Sequence, residues 1–413
     1  MSRQGSNSIQ IRHYNERVVL EAIRKLGQAS KAEIARRANL TPQAVAGIVD
    51  ALTDAGYIAQ MGKRHGQIGQ PSVLYAPNPE RAFSIGLHVG RRAFDSVLVN
   101  FAGETLHRIT HEYAYPEPDK ISNLALADVQ LLTARLAVHL RDRVVGIGVS
   151  IPYFLSGWQN DLGFPDHVVA AWASFNLPQY LIENTKFEVY FENDASAAAT
   201  AELVYGQGAT ERNFIYLYIN TLIGGGLVLN GNIETGPHGN TAAFNTFPVS
   251  RSQLSTVAPP KGDFELLQNR ASIFVLIRHL QANGVAINRV SELTALGACA
   301  EPFLREWQED CVGALTQAVV GAVSVIDTDM IIVDSILPTP ILQQTVDMLA
   351  ERLTALAPEG FITPAIRAGS IGVGAAAIGA AILPLYAIFA PNNDVLAKRY
   401  KAPSNLLLAG ASK

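Results

Sequence analysis

The chain reads as an α/β protein in which a small winged helix-turn-helix precedes a two-lobed body. Three observations predict this. Residues 30–58 have the pattern of two short amphipathic helices joined by a tight turn and followed by a strand. Beyond residue 80 the sequence runs twice from a β-meander into alternating helices and strands, the pattern of a partly parallel sheet with helical cover. The charge is also divided: residues 1–80 carry ten Lys/Arg against six Asp/Glu, in a chain of 413 residues with formal net charge −4. A basic module on an acidic body fits a local nucleic-acid surface and argues against DNA binding along the whole protein.

Taken in order, residues 13–26 place Val18, Val19, Ala22, Ile23 and Leu26 on one face, a supporting helix that Gly27 ends. Ser30-Lys31-Ala32-Glu33 has the form of a capping box and starts the next helix, with Ile34, Ala35 and Ala38 inward. Thr41-Pro42 supplies an N-cap and a first-turn proline for a third helix. Val45, Ile48, Val49 and Leu52 form its apolar stripe, leaving Thr41, Gln43, Ala46, Gly47 and Asp50 outward. Gly56-Tyr57-Ile58 opens a strand, Lys63-Arg64-His65-Gly66 is a basic turn, and residues 71–75 return as a second strand, completing a wing. The N-terminal end of a recognition helix enters the major groove, so Gln43 is the first candidate for a base contact.

Residues 76–80, rich in proline, mark the boundary between a DNA-binding domain at 1–80 and a body at 81–413. Lobe 1 is expected at about 81–200 plus a C-terminal helix, and lobe 2 at about 201–370. Strands at 83–90, 94–100 and 105–113 form the first meander, followed by a helix at 121–141, a buried strand at 144–151, a helix near 177–184 and a strand at 187–191. The second half repeats the plan: strands at 213–220 and 224–229, a turn at Asn230-Gly231, helices at 303–326 and 341–356, and the strand 330–334 between them. Two such lobes imply a cleft in which turns from both surround a ligand.

The composition, 48% hydrophobic and 16% charged, is that of a soluble globular protein. Cys299 and Cys311, the only cysteines, provide neither a disulfide framework nor a cysteine zinc site. No apolar leader begins the chain, and a cytoplasmic protein is expected. Residues 368–393 lack charges and are long enough to span a membrane, but they are rich in Gly and Ala, contain Pro384 and lack anchors on both sides. They read as a helix buried between the lobes.

The order of motifs resembles the ROK family, named for repressor, open reading frame and kinase. Gly69-Gln70-Pro71-Ser72-Val73-Leu74-Tyr75 in the wing, IGLHVG, GIGVSIP, ENDASAAATAE, GGGLVLNGNIETGPHGN and GSIGVGAAAIGAA follow that family's sequence over nearly the whole chain. The resemblance implies an actin-like (ribonuclease H-like) sugar-kinase fold. In the family's regulator branch it implies an operator-binding winged helix under the control of a sugar.

The resemblance also supplies a test for kinase chemistry, which needs positioned phosphates, a metal ion and a base for the sugar hydroxyl. The family's first phosphate turn, D-x-G-G-T, is matched by His88-Val89-Gly90-Arg91-Arg92, without acid or hydroxyl. The second, G-T-G-I-G, is Asn220-Thr221-Leu222-Ile223-Gly224, with two glycines missing. The adenosine loop G-G-G is Asp334-Ser335-Ile336, whose side chains would crowd a nucleotide. All three departures fall on the ATP side, so no catalytic residue and no cofactor is assigned.

On the sugar side, Asn193-Asp194 matches the pair in which the family's Asn holds sugar hydroxyls and its Asp is the catalytic base, and Asp194 also suits the cap of a helix starting at Ala195. In G-N-x-G-E-x-G-H the family's Glu and His become Ala243 and Thr246, so Asn245 and Thr246 are the polar candidates there. The family's zinc segment aligns with residues 256–265 and keeps no cysteine, so no metal site is expected. Glu265 falls on the sugar-binding Glu of the family, and a solvated glutamate at a helix start is the competing reading. Phe244, Tyr153 and Trp172 suggest a less polar pocket than a common hexose needs.

These readings combine into a sugar-responsive repressor, a homodimer or tetramer on double-stranded operator DNA. Lys31, Arg36, Arg37, Lys63 and Arg64 would pair with phosphates, and Gln43 with its neighbours Thr41, Pro42, Ala46 and Gly47 would read bases. Two rivals remain open at this stage: an active sugar kinase carrying a DNA-binding arm, and a ligand-independent DNA-binding protein with a relic cleft.

Overall fold

Side-chain caps start the two helices that define the N-terminal module, as the sequence predicts. The computed structural model describes residues 8–64, 72–152, 163–295, 297, 299–356 and 358–391; the wing tip at 65–71 and Tyr153 lie outside them. Helix α1 (Ser8–Leu26) precedes the short strand β1 (Ala29–Ser30) and helix α2 (Lys31–Ala38), where the capping box forms in full. Asn39 then adopts a left-handed conformation with φ 53° and ψ 43°, which turns the chain into α3 (Pro42–Asp54). Strands β2 (Ile58–Arg64) and β3 (Ser72–Pro77) form the wing, with β1 added beside β3.

The chain divides into two compact units, one holding the described residues up to Glu192 and again from Ala377, the other Asn193–Ala376. In the first unit β4 (Phe83–Val89), β5 (Ala93–Asn100), β6 (Thr105–Glu112), β7 (Val144–Ile151) and β8 (Val189–Asn193) form one sheet in the order β6-β5-β4-β7-β8. The meander is antiparallel and β4 pairs with β7 in parallel. One face packs against α4 (Pro118–Arg135), α5 (Asp166–Ser174) and α6 (Leu177–Asn184) through Ile85, Leu87, Ile121, Val129, Trp172 and Leu181.

The helix expected to reach residue 141 ends at Arg135, because Leu136 is extended, with ψ 145°, and drops into the core; residues 138–143 continue as a 3-10 turn. The charge-free stretch near the C-terminus forms α11 (Ala375–Phe389), which lies on the other face of this sheet. Its approach depends on glycine. A Cβ on Gly148 would stand 1.7 Å from the carbonyl oxygen of Ala380, and one on Gly86 would stand 2.2 Å from that of Ala377. Only hydrogen at those two positions lets helix backbone rest on strand backbone. Among the described residues no helix is long and apolar enough to cross a membrane.

The winged module shares its core with this face. Val19, Ile23, Ile34, Val45, Val49 and Ile58 belong to one apolar cluster with Val97, Val99 and Phe101 of the sheet and Ala381 and Leu385 of α11. Tyr57, Phe101 and Phe389 meet with ring centroids 4.9 to 6.2 Å apart, and the Arg81 guanidinium stacks 4.2 Å from the Tyr57 ring centroid. The proline-rich connection is tied down as well: Asn78 donates from its backbone to Tyr57 O and from its side chain to Gly56 O.

The second unit has the sheet order β11-β10-β9-β14-β15, formed by β9 (Phe214–Ile219), β10 (Ile223–Leu229), β11 (Asn232–Glu234), β14 (Met330–Ser335) and β15 (Ala365–Ala368). Asn230 and Gly231, with φ 54° and 76°, make the two-residue turn between β10 and β11. Helices α8 (Ile273–Ala282), α9 (Glu301–Val323) and α10 (Thr339–Leu356) pack on one face through Ile215, Leu217, Leu276, Trp307, Leu315 and Leu349. The alanine-rich α7 (Asp194–Tyr205) lies on the other, directly over Gly224 and Gly226 of β10. A two-strand ribbon of β12 (Pro248–Val249) and β13 (Glu265–Leu266) is set apart from the sheet.

Candidate functional site

In the winged module the buried residues Val45, Val49 and Leu52 fix the rotation of α3 and leave its opposite face to solvent. Thr41 Oγ1 accepts from Ala44 N at 3.3 Å, and Thr41, Pro42, Gln43 and Gly47 are exposed, with Ala46 half-buried between them. This is the small, hydrogen-bonding helix start that a major groove admits. Arg36 and Arg37 stand exposed on the last turn of α2, and Lys63 is exposed on β2.

Two of the five basic residues expected on phosphates already have partners. Lys31 Nζ lies 2.6 Å from Asp50 Oδ1, and Arg64 Nη1 lies 2.8 Å from Glu33 Oε1. Glu33 also accepts from Ser30 N at 2.8 Å, and these bonds, that from the Ser30 backbone first, hold its carboxyl below the usual range. Arg64 therefore bridges the wing to the first turn of α2. Sequence spacing gave no sign of either pair, since the partners are 19 and 31 residues apart.

The sugar-side candidates lie in the second unit. The carboxyl ends of β9, β14 and β15 and the start of β10 share one end of its sheet, the end where open α/β sheets bind ligands. Asn193 caps α7 there, its Oδ1 accepting from Ala195 N at 3.0 Å, while Asp194 Oδ1 accepts from the same N–H at 2.9 Å. The turn after β9 is fastened to the start of α8 by bonds from Ile273 N to Asn220 O and from Phe274 N to Thr221 O.

Asn245 and Thr246 form a 3-10 turn leading into β12, and Val249 pairs with Glu265 of β13, so these three candidates belong to one local assembly. Glu265 is buried, at 3% relative exposure, and its Oε1 accepts from Leu266 N at 2.9 Å and from Asn269 Nδ2 at 2.7 Å. It begins a short strand rather than a solvated helix. Behind it Arg270 forms a buried fork with Asp310, with nitrogen–oxygen distances of 2.8 and 3.0 Å; Arg270 also donates to Ser250 O, and Asp310 accepts from Ser252 Oγ and Gln253 N.

The two candidate groups approach from opposite faces of β10. Ala195 and Ala199 of α7 cover Gly224 and Gly226, whereas a Cβ on Gly225 would meet Phe244 Cδ2 at 2.4 Å on the other side. Phe244 stacks on Phe247 within the core, and Trp172, 8% exposed, donates to Pro116 O in the core of the first unit. Neither aromatic side chain is a free pocket wall, contrary to the expectation from sequence, and Tyr153 lies outside the described residues.

Each unit, taken by itself, holds a segment that the family resemblance aligns with a nucleotide-binding turn. In the first, His88 is buried with Nδ1 3.1 Å from Ser150 Oγ, and the following turn closes on itself through Gly90 N to Ala93 O. Tyr113 Oη donates to Gly90 O at 2.7 Å and to Ala93 O at 2.9 Å, and burial holds that phenol far above its usual range. In the second, Asp334 closes the end of β14. Its Oδ2 accepts from Tyr216 Oη at 2.9 Å and its Oδ1 from Ser335 N at 2.7 Å. A Cβ on Gly369 would meet its Cγ at 2.5 Å, so the carboxylate fills the space beside that glycine. Burial, with the nearby Glu202 charge behind it, pushes the Asp334 carboxyl up to about 6. Glu202 itself accepts from Ser370 N at 2.5 Å, Ile371 N at 2.9 Å and Gln207 N at 2.6 Å. Among the described residues no three His, Cys, Asp or Glu side chains are grouped to hold a metal ion.

The fold and these sites define a winged helix-turn-helix joined to an actin-like sugar-kinase body. The chain belongs to the ROK family, whose sequence profile matches residues 84–386; that of a winged helix-turn-helix DNA-binding domain matches residues 12–59. It is 26% identical over 376 residues to the uncharacterized protein y4fQ of Sinorhizobium fredii, covering 91% of both chains. It is 22% identical over 271 residues to the xylose repressor of Bacillus spizizenii, covering 66% of this chain and 69% of the repressor. Among solved structures, a ROK family transcriptional regulator described as a homolog of the E. coli MLC protein superposes with TM-score 0.62 at 18% identity, over 91% of this chain and 96% of that one. A ROK family glucokinase from Streptomyces griseus, in complex with glucose and AMPPNP, superposes with TM-score 0.57 at 19% identity, over 73% and 99%.

Proposed function

We propose that this protein is a sequence-specific DNA-binding transcriptional regulator, acting as a repressor, whose ROK body answers to a sugar or sugar-derived ligand and does not transfer phosphate. The observation that carries the reading is the recognition helix: Thr41 caps it, the core fixes its rotation, and it presents Gln43 and Gly47 to solvent beside Arg36 and Arg37. Relatives named xylose repressor support the sign of regulation and the chemical class of effector.

Asn193, Asp194, Asn245, Thr246 and Glu265 are the proposed ligand contacts. Asn193 and Asp194 sit at the N-terminus of α7, where their side-chain oxygens can accept from a ligand hydroxyl. Ala243 leaves out an acceptor, which favours a ligand lacking one hydroxyl of a common hexose, or carrying it differently. The absence of phosphoryl transfer rests on Asp334, whose bonds to Tyr216 and Ser335 occupy the end of β14, and on the self-closed turn at Gly90. The working form is a cytoplasmic homodimer, because two-fold sites on DNA match two-fold proteins.

The test is selection of binding sequences from random double-stranded DNA, followed by a coupled assay for nucleotide turnover with a panel of sugars. Specific DNA binding without turnover supports the proposal; sugar-dependent ATP consumption would replace it with an active kinase carrying a DNA-binding arm.

A further inference from the structure

The outward stripe of α3 contains one residue whose charge is wrong for a DNA surface. Successive helical residues are rotated by about 100°, so Gln43, Ala46, Gly47 and Asp50 share one line along the helix. Asp50 is two turns beyond Gln43, about 10.5 Å along the helix axis; residues three to four apart on a groove-bound helix meet successive bases, so the two residues stand about two base pairs apart. Ala46 and Gly47 lie between them and leave the helix free to approach closely; a Cβ on Gly47 would meet nothing within 4 Å. The Asp50 side chain is 65% exposed, and its Oδ1 lies 2.6 Å from Lys31 Nζ.

An exposed pair of this kind contributes under about 1 kcal/mol to stability, too little to explain a carboxylate in this position. Its effect on the interface is larger. Lys31, the first residue of α2, neutralises the charge that would otherwise repel phosphates, and it takes one oxygen of the carboxylate. A carboxylate has about four lone-pair sites, so Oδ2 can still accept from a base. The major-groove donor that suits a short carboxylate is the exocyclic amino group of cytosine.

We infer that Asp50, held by Lys31, discriminates bases in the major groove by accepting from a cytosine amino group about two base pairs from the position that Gln43 reads. The inference rests on the DNA-binding reading above and adds a residue and a base to it. Lys31 is then a positioning residue for Asp50 more than a phosphate contact.

The experiment uses the full chain. Sequences are selected from random double-stranded DNA with wild type, Asp50→Ala and Asp50→Asn, and affinities are measured on the preferred duplex and on each single-position variant at one fixed salt concentration. Thermal midpoints establish that all three proteins are folded. Wild type is expected to prefer cytosine by roughly 5- to 150-fold at one position of the half-site, the equivalent of about 1–3 kcal/mol for a good base contact. Asp50→Ala should lose that preference alone, keep the Gln43-dependent position and bind random DNA more tightly. If Asp50→Ala keeps every preference and gains affinity uniformly, Asp50 acts only through charge and the inference is overturned. If preferences fall at all positions together with the thermal midpoint, the pair is merely structural and the inference is again overturned. Failure of wild type to select any sequence would instead remove the DNA-binding reading itself.

Discussion

Counterion release distinguishes the basic residues that meet phosphate from those that hold the module together. Among the described residues Arg36, Arg37 and Lys63 form no ion pair, whereas Lys31 and Arg64 are 2.6 and 2.8 Å from carboxylates. Each neutralised phosphate adds about 0.9 to the slope of log affinity against log salt. Arg37→Ala should therefore lower that slope by about 0.9 per module, or about 1.8 for two modules acting together. Over a fourfold rise in salt each contact accounts for roughly a threefold change in affinity, so the variant should lose affinity for operator and random DNA alike and be less sensitive to salt. Arg64→Ala should change the slope by less than half as much, because Glu33 already balances that guanidinium. The assay is fluorescence anisotropy with a selected and a scrambled duplex between about 50 and 200 mM salt. A wild-type slope in Arg37→Ala, or equal changes in the two variants, would refute the division of roles.

Three other outcomes follow from the packing. Gly148→Ala would drive a methyl group into the Ala380 carbonyl and should destabilise the protein by about 3 kcal/mol or more, read as a lowered thermal midpoint; an unchanged midpoint would contradict the close seating of α11 on the sheet. Gly47→Ala meets nothing within 4 Å and removes an exposed helical glycine, so it should stabilise the protein by about 0.5–1 kcal/mol while weakening DNA binding. Tighter DNA binding would show that close approach at Gly47 does not matter. Asp334, with a carboxyl pushed up to about 6 from an ordinary 3.8, binds its proton more strongly folded than unfolded. Its contribution to stability is present below pH 4 and is lost as pH rises through 6, a change of about 3 kcal/mol. Denaturant titrations of wild type and Asp334→Asn should diverge in that window, and parallel curves would exclude the burial argument.

The extent to which sequence revealed the molecule follows from the range of each interaction. The capping box at Ser30–Glu33, the Thr41-Pro42 helix start and the Asn230-Gly231 turn are local chemistry, and all formed. The helices at Asp166–Ser174 and Ile273–Ala282 and the strand Ala365–Ala368 are not among the elements the sequence pattern predicts. The last has only four residues, half-buried or exposed, and gains its identity from pairing with β14. At the sites, residue type pointed to Asp334 as an obstacle to nucleotide, but its bond to Tyr216 spans 118 positions. The Glu265 match gave no sign that the side chain would be buried and bonded to Asn269. Lys31 and Arg64 looked like phosphate contacts because the carboxylates beside them come from other elements.

The most direct measurement of a sugar-controlled regulator is calorimetric titration of the protein with a panel of sugars, polyols and sugar phosphates, each repeated with selected DNA bound. A coupling of 1–3 kcal/mol, equivalent to a change in DNA affinity of roughly 5- to 150-fold, is expected for the effector, with reciprocal weakening of the sugar by DNA. Asn193→Ala and Glu265→Ala should abolish the sugar heat while leaving DNA binding intact. Specific DNA binding with no heat from any sugar, and no change in DNA affinity on adding one, would contradict the account and leave a DNA-binding protein whose body serves only as a scaffold.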